Sequence, residues 1–121
     1  MELDHPTAIG TGLGAALNGE VLLPAQALTR LVASPYLTCH TGFLVERLGQ
    51  AAGSARKDVR AALEQRHFDV AELFAFVCPA LTAVPTPRGL ARILAVQHVK
   101  DDAITLRAVA GELLRRLSSP N

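Results

Sequence analysis

Adjacent cysteine and histidine residues are the first candidate for chemistry in this sequence. Cys39 precedes His40, and a thiol beside an imidazole is the pairing of a nucleophile with its general base. The sequence YLTCH over residues 36–40 predicts a strand, however, in which neighbouring side chains point to opposite faces. We therefore expect Cys39 and His40 not to act together. Metal-ligand spacing is also lacking at the remaining histidines, which are His5, His67 and His98.

A run of alternating glycines resembles part of a phosphate-binding loop. Gly10, Gly12 and Gly14 do not match the spacing Gly-x-Gly-x-x-Gly, and no helix is predicted directly after them. No Gly-Lys-Ser or Gly-Lys-Thr occurs, so we expect no ATP site and no other cofactor in this segment. Asn18-Gly19 follows, and Asn-Gly between apolar stretches is typical of a type I′ β-turn. We interpret the glycines as part of a β-hairpin.

Two groups of basic side chains are candidates for contacts with nucleic-acid phosphates: Arg56, Lys57 and Arg60, and Arg88 and Arg92. The first group lies on one predicted helix. The second lies in the predicted first turns of a helix that begins at Thr86-Pro87, where free backbone N–H groups also attract anions. The planar guanidinium of arginine suits phosphate oxygens. The alternative is a solvated face, in which Arg60 and Glu64 form an i, i+4 ion pair.

Composition limits the class of protein. The chain has 121 residues, which is enough for a single domain over 1–121 with one core. Hydrophobic residues make up 50% and aromatic residues 4%, so the core is predicted to be aliphatic and helix-rich. A net charge of +1 excludes a nucleic-acid binder that depends on bulk charge. Two cysteines are too few for a zinc or iron–sulfur site. We expect both to be reduced and buried, and the alternative is a single disulfide between them.

The sequence carries neither a recognisable signal peptide nor an apolar run long enough to span a membrane. The opening MELDHP is acidic and no apolar h-region follows it, so it does not resemble a signal peptide. No apolar run approaches the roughly 18 residues of a membrane span. We therefore expect a cytoplasmic protein without membrane contact.

Turn and helix signals divide the chain into short elements. We predict a strand near 8–17, a second strand near 20–23, and a helix from Pro24 to Ser34-Pro35. The remaining predicted elements are a strand over 36–40, helices from Thr41 to Gly53 and over 55–66, a strand over 67–70, a helix ending at Cys78-Pro79, and helices from Thr86 and over 101–117. Apolar periodicity places Leu63, Ile93 and Leu117 on the inward faces of their helices.

The order of these elements predicts an α/β fold. A hairpin is followed by a helix, a strand, helices, a second strand and more helices. This order is typical of a small mixed sheet with the hairpin at one edge and the later strands joined through helices. Exonucleases of the ribonuclease-H-like class have this outline.

Three segments carry a more specific resemblance to those exonucleases. CHTGFLVERL at 39–48 resembles their second motif, in which a strand ends in His or Asn and a Phe-Asp pair opens the next helix. FDVAELFAFVCPA followed by GLARIL resembles the later stretch, in which a strand Asp precedes a helix, a loop and a helix. DDAITLRAVAGELL resembles the final helix, which carries the last metal-binding Asp.

The stretch HFDVAELFAFVCPALTAVPTPRGLARIL is also similar to the N-terminal region of bacterial DinG-type helicases, relatives of the XPD group. In that family an exonuclease-like domain, often degenerate, precedes an ATP-dependent helicase body. The resemblance covers roughly residues 36–117 and rests on ELFAFV-P and PTP-GL. It implies a role in DNA replication or repair, with the helicase body in cis as a partner.

The same resemblance implies that most catalytic carboxylates are missing. Such nucleases use two metal ions held by carboxylates. Asp4 is the nearest match to the first motif, but Pro6 stands where the Glu is needed, and Leu44 occupies the Asp position of the second motif. Asp102 fits the last motif, although His98 is one residue out of register. Asp4, Leu44 and Asp102 are therefore vestigial positions, and we predict no catalytic residue and no bound metal.

Three functions follow as expectations. The first is a catalytically inactive N-terminal module of an ATP-dependent DNA helicase. This module would bind DNA, with single-stranded DNA as the expected partner, or dock on the helicase body. The second is a divergent metal-dependent 3′–5′ exonuclease that uses Asp4 and Asp102. The third is a stand-alone interaction module that dimerises through the Phe-rich segment 68–77. The sequence alone does not define the oligomeric state.

Overall fold

The computed structural model describes residues 4–12 and 14–118. Its first elements are β1 (Ala8–Gly10), β2 (Ala15–Leu17) and β3 (Glu20–Leu22), which pair as an antiparallel meander. The predicted turn between β2 and β3 is confirmed, because Asn18 and Gly19 both have positive φ, at 53° and 84°.

The single strand predicted near 8–17 is wrong, because a turn divides it into β1 and β2. In this turn Thr11 N–H donates to the Gly14 carbonyl at 3.0 Å, and Gly14 N–H donates to Thr11 Oγ1 at 3.0 Å. A Cβ atom at position 14 would overlap the Leu22 carbonyl oxygen of β3. Glycine is therefore required where this turn passes over β3.

The remaining elements follow the predicted order. They are α1 (Pro24–Ala33), β4 (Leu37–Thr38), α2 (Thr41–Ala52), α3 (Arg56–Glu64), β5 (Phe68–Asp69), α4 (Val70–Val77), α5 (Pro87–Leu94) and α6 (Asp102–Ser118). Local signals fix several ends as predicted. Gly53 ends α2 in the left-handed conformation, and Thr86 Oγ1 accepts from Gly89 N–H to begin α5.

The strands form two small sheets, one of three strands in the order β1-β2-β3 and one of two strands, β4 and β5. β4 and β5 are parallel, with Leu37 opposite Phe68 and Thr38 opposite Asp69. A parallel bridge between Thr7 and Leu37 joins this pair to the meander, and Leu37 N–H donates to the Pro6 carbonyl at 2.8 Å. The fold is therefore mixed α/β, with one antiparallel sheet and one parallel pair of strands instead of the single mixed sheet that was predicted.

Two clusters of buried side chains hold the helices to the strands. The first joins the meander to α1, α2 and α3 around Leu17, Leu31 and Leu48. The second joins β4 to α4, α5 and α6 around Leu37 and Leu106. Together they place the helices against the short strands, so hydrophobic burial rather than sheet length stabilises the fold.

Three side chains predicted to face inward are partly exposed: Leu63, Ile93 and Leu117 are 36%, 41% and 51% accessible. Leu90, Ala91 and Leu94 form the buried face of α5, and Ile93 lies beside that face. Leu117 lies in the last turn of α6. This helix has 17 residues and is longer than the eight-residue helices α4 and α5 that pack on it. Leu63 precedes the last residue of α3, whose buried positions are Val59 and Ala62.

Two further expectations concern thiols and membrane spans. Cys39 and Cys78 are free thiols, as expected, but both are only partly buried. Within residues 4–12 and 14–118, none of the helices has the length and apolar character needed to traverse a bilayer.

Candidate functional site

A groove of about 460 Å³ lies where β1 and β4 end and α2 begins. The loop before α5 and the first residue of α6 close its other sides. Its lining consists of Ala8, Ile9, Gly10, Thr11, Cys39, His40, Phe43, Leu44, Arg47, Val84, Pro85, Thr86, Pro87 and Asp102. In open α/β sheets, ligands bind beyond the carboxyl ends of the strands, which is where this groove lies.

Asp69 fixes the backbone segment before the aromatic residues that border the groove. Its Oδ1 accepts from His40 N–H at 2.9 Å and from Ala71 N–H at 3.0 Å, while its Oδ2 accepts from Thr41 N–H at 2.9 Å. One carboxylate at the end of β5 therefore caps α4 and also holds the start of α2. Its oxygens face backbone donors, so Asp69 acts as a structural residue.

His40 and Phe43 form the exposed rim of the groove. His40 has a φ of 63°, and its Nδ1 accepts from Phe43 N–H at 3.3 Å. The two rings meet edge to face with 5.7 Å between centroids, and Phe43 is 63% accessible. Because Nδ1 is an acceptor, the neutral imidazole carries its proton on Nε2. The rim thus offers an aromatic ring and a polar donor to a ligand.

Arg47 provides the groove with a cation. Its Nη2 donates to the Gly14 carbonyl at 2.9 Å, across the turn between β1 and β2. A Cβ atom on Gly10 would lie only 2.8 Å from the same Nη2, so the bare glycine backbone lets the guanidinium approach β1. No carboxylate of the described residues lies within ion-pair distance of Arg47.

Arg47 was missed by the sequence analysis. The available signal was its spacing, because Phe43, Leu44 and Arg47 fall at i, i+1 and i+4 and therefore share one side of α2. Leu44 was predicted on that helix as an altered nuclease position.

The thiol of Cys39 is unsuited to nucleophilic chemistry. Burial and, to a smaller degree, the negative charges of Asp69 and Asp102 together raise the pKa of the Cys39 thiol to about 12. The thiol donates to the Pro85 carbonyl at 3.4 Å, whereas His40 accepts from Phe43 N–H. The two residues therefore make separate hydrogen bonds, and Cys39 is neutral at physiological pH. The predicted reason was wrong, because β4 ends at Thr38, His40 is the N-cap of α2, and both side chains line the groove.

The structure brings together two of the three predicted vestigial positions. Leu44 and Asp102 both line the groove, Leu44 at 4% accessibility and Asp102 at the first turn of α6. Asp4 is exposed, precedes β1 and is not part of the lining; β1 contributes Ala8 to Gly10 there instead. Among the residues placed by the structure, no three His, Cys, Asp or Glu side chains are grouped to hold a metal ion.

The predicted phosphate-contact residues are dispersed. Arg88 is exposed at the second position of α5, beside the groove residue Pro87. Arg92 also lies on α5 but was misplaced by the sequence analysis: α5 has eight residues, which puts Arg92 in the last turn rather than near the N-terminal N–H groups.

The group on α3 lies outside the groove lining. Arg56 forms a bidentate ion pair with Glu46, at 2.7 and 2.8 Å, so part of its charge is already neutralised. Lys57 and Arg60 are exposed. The i, i+4 pair predicted between Arg60 and Glu64 is not formed among the described residues.

Comparison with known proteins gives no family assignment. No protein-family model, curated protein or solved structure matches the chain. The groove is therefore the main physical evidence on function.

Proposed function

We propose that this chain is a catalytically inactive accessory module of an ATP-dependent DNA helicase, and that it binds single-stranded DNA in the groove. The helicase assignment rests on the resemblance of residues 36–117 to the DinG-type N-terminal region. The DNA-binding assignment rests on the groove. Docking on a helicase body in cis is the remaining part of the same proposal.

The observation that carries the proposal is the place and lining of the groove. An antiparallel meander beside a helix-linked parallel pair of strands is compatible with the ribonuclease-H-like outline that the resemblance implies. Leu44 and Asp102, chosen from the exonuclease motifs, line one groove at the carboxyl ends of β1 and β4. Residues far apart in sequence thus meet where the resemblance implies an ancestral nuclease site.

The groove's chemistry favours an inactive site. Two-metal nucleases need several carboxylates to hold and neutralise the ions. Here Leu44 supplies no ligand, Asp69 is engaged by four backbone N–H groups, and Asp102 remains as a carboxylate of the lining. The Arg47 guanidinium also repels cations. These features favour an anion over a metal ion as the groove's ligand.

The two alternatives are less well supported. A divergent exonuclease that uses Asp4 and Asp102 requires both at one site, but Asp4 is not part of the groove lining. Dimerisation through segment 68–77 requires exposed phenylalanines. Phe74 is 6% accessible and Phe68 packs against the second core cluster, which leaves Phe76, 72% accessible, on that surface.

The test is direct binding of a fluorescent oligothymidylate to the 121-residue chain, measured by anisotropy at several salt concentrations. We expect saturable binding near 50 mM salt that weakens as salt rises, roughly 0.7 units of log–log slope per phosphate contact. Replacing Arg88 and Arg92 with Ala tests the α5 contacts. We expect Arg88 to account for the change, so Arg88→Ala should match the double variant. An unchanged slope would remove α5 from the interface.

Two further measurements separate this proposal from the exonuclease. Calorimetric titration with Mn²⁺ should show no saturable heat at millimolar metal. Incubation of the oligonucleotide with Mn²⁺ and protein should leave it intact. Metal-dependent degradation that Asp102→Asn abolishes would establish the exonuclease instead. Absence of any oligonucleotide binding would refute the DNA-binding half and leave docking as the function.

A further inference from the structure

We infer that the groove holds one nucleotide of single-stranded DNA without a metal ion, with its phosphate on the Arg47 guanidinium and its base on the Phe43 ring. This inference rests on the proposed function, which states that DNA binds, and adds how the groove recognises it. A guanidinium thereby supplies the positive charge that metal ions supply in a nuclease of the same outline.

Arg47 has the properties of a phosphate ligand. One nitrogen is anchored to the Gly14 carbonyl at 2.9 Å, which fixes the guanidinium in the groove and leaves its other donors available. The side chain is partly buried, and no described carboxylate neutralises it. A fixed, partly desolvated guanidinium is well suited to an oxyanion, because it loses little conformational freedom on binding.

Phe43 provides the matching surface for a base. It lies one helical turn before Arg47 on α2, at i and i+4, so the two side chains are neighbours on one face. The ring is 63% accessible although it borders an apolar groove, and His40 supports it from one edge. Stacking on an aromatic ring tolerates any base, which suits a binder without sequence preference.

The size and remaining charge of the groove fit a single nucleotide. Its volume of about 460 Å³ lies within the range of sites that enclose small ligands, roughly 300–1,000 Å³. Ile9, Val84 and Pro85 continue the apolar wall opposite the rim. Asp102 also lines the groove, and its negative charge opposes a nearby phosphate.

The experiment compares variants in the oligothymidylate anisotropy assay, with and without EDTA. We expect Arg47→Met to weaken binding about tenfold, because a charge-assisted contact is lost, and Arg47→Lys to restore part of that loss. Phe43→Ala should weaken binding at least fivefold, and Phe43→Trp should restore it, because stacking needs only an aromatic face. EDTA should change nothing.

Matched controls separate groove contacts from bulk charge and from unfolding. Arg66→Gln removes the same charge as Arg47→Met at an exposed site outside the groove lining, and we expect less than a twofold effect. Asp102→Asn should strengthen binding, because it removes a negative charge that opposes the phosphate, whereas a metal-dependent site would lose binding. Thermal melts should show that each variant is folded, which is expected because Phe43 is exposed and Arg47 makes one described hydrogen bond.

The outcomes distinguish the two proposals. If the wild-type chain binds no oligothymidylate, the proposed DNA-binding function fails and this inference fails with it. If the wild type binds but the Arg47→Met and Phe43→Ala variants bind equally well, only the groove inference is overturned. Loss of binding in EDTA would also overturn it. Inorganic phosphate that competes while thymidine does not would support the Arg47 contact and refute the contact with Phe43.

Discussion

Replacing Asp69 with alanine should destabilise the chain more than the loss of an ordinary helix cap. Asp69 caps α4 through Ala71 N–H and also accepts from His40 and Thr41 N–H at the start of α2. Loss of the cap costs about 1 kcal/mol, and the two remaining bonds contribute roughly 1 kcal/mol each. The free energy of unfolding should therefore fall by about 3 kcal/mol, which corresponds to roughly 12 °C in Tm for a domain of this size.

Asp101 offers a matched control for that measurement. Its Oδ1 accepts from Ala103 and Ile104 N–H at 2.9 and 3.4 Å and caps α6, with no bond to a second helix among the described contacts. Urea unfolding should give a loss of about 1 kcal/mol for Asp101→Ala. The difference between the two alanine variants, about 2 kcal/mol, measures the bonds from Asp69 to α2. Equal losses for Asp69→Ala and Asp101→Ala would refute the assignment of Asp69 as the link between α2 and α4.

Three further predictions concern pH, thiol reactivity and the groove loop. Burial lowers the pKa of His67, whose Nδ1 accepts from Tyr36 N–H at 3.0 Å, so protonation favours the unfolded state. The stability that neutral His67 contributes above the ordinary pKa of 6.5 should be lost as the pH falls below that value. Urea midpoints measured between pH 8 and 5 should show this loss for the wild type and not for His67→Gln. In a Cys78→Ser background, Cys39, with its pKa raised to about 12, should react with iodoacetamide at pH 8 far more slowly in the folded chain than in urea. Equal rates in the two conditions would contradict the burial of the Cys39 thiol. Gly89→Ala should lower Tm by several degrees, because the new Cβ would overlap the Val84 carbonyl oxygen, whereas Gly12→Ala, where a Cβ meets nothing within 4 Å, should have little effect.

Elements with strong local signals could be predicted from the sequence. Asn18-Gly19, Gly53 and Thr86-Pro87 each require a particular backbone conformation or cap, and each marks an element end as expected. The division of the predicted 8–17 strand could not be found this way. It depends on Gly14 passing over the Leu22 carbonyl, a contact that forms only when β2 and β3 are paired.

Two residues of the candidate site could be predicted from the sequence, and Arg47 could not. Leu44 and Asp102 were identified from motif resemblance, and both line the groove. Arg47 had no motif to identify it, because its role depends on the carbonyl of Gly14, 33 residues earlier, and on the absence of a side chain at Gly10. Arg92 was misplaced because α5 ends after eight residues at Ala95, which has a positive φ of 58° without the glycine that usually signals such an end.

Leu44 affects the charge of the groove through its neighbour Arg47. The two positions are three residues apart on α2, close enough for a carboxylate at 44 to pair with a guanidinium at 47. Such a pair would occupy the guanidinium and leave the carboxylate a poor metal ligand. With leucine at 44, the guanidinium instead borders apolar wall and the Gly14 carbonyl. An anion can then reach Arg47 without displacing an ion pair, in a groove whose shape is set by the same strands and helices.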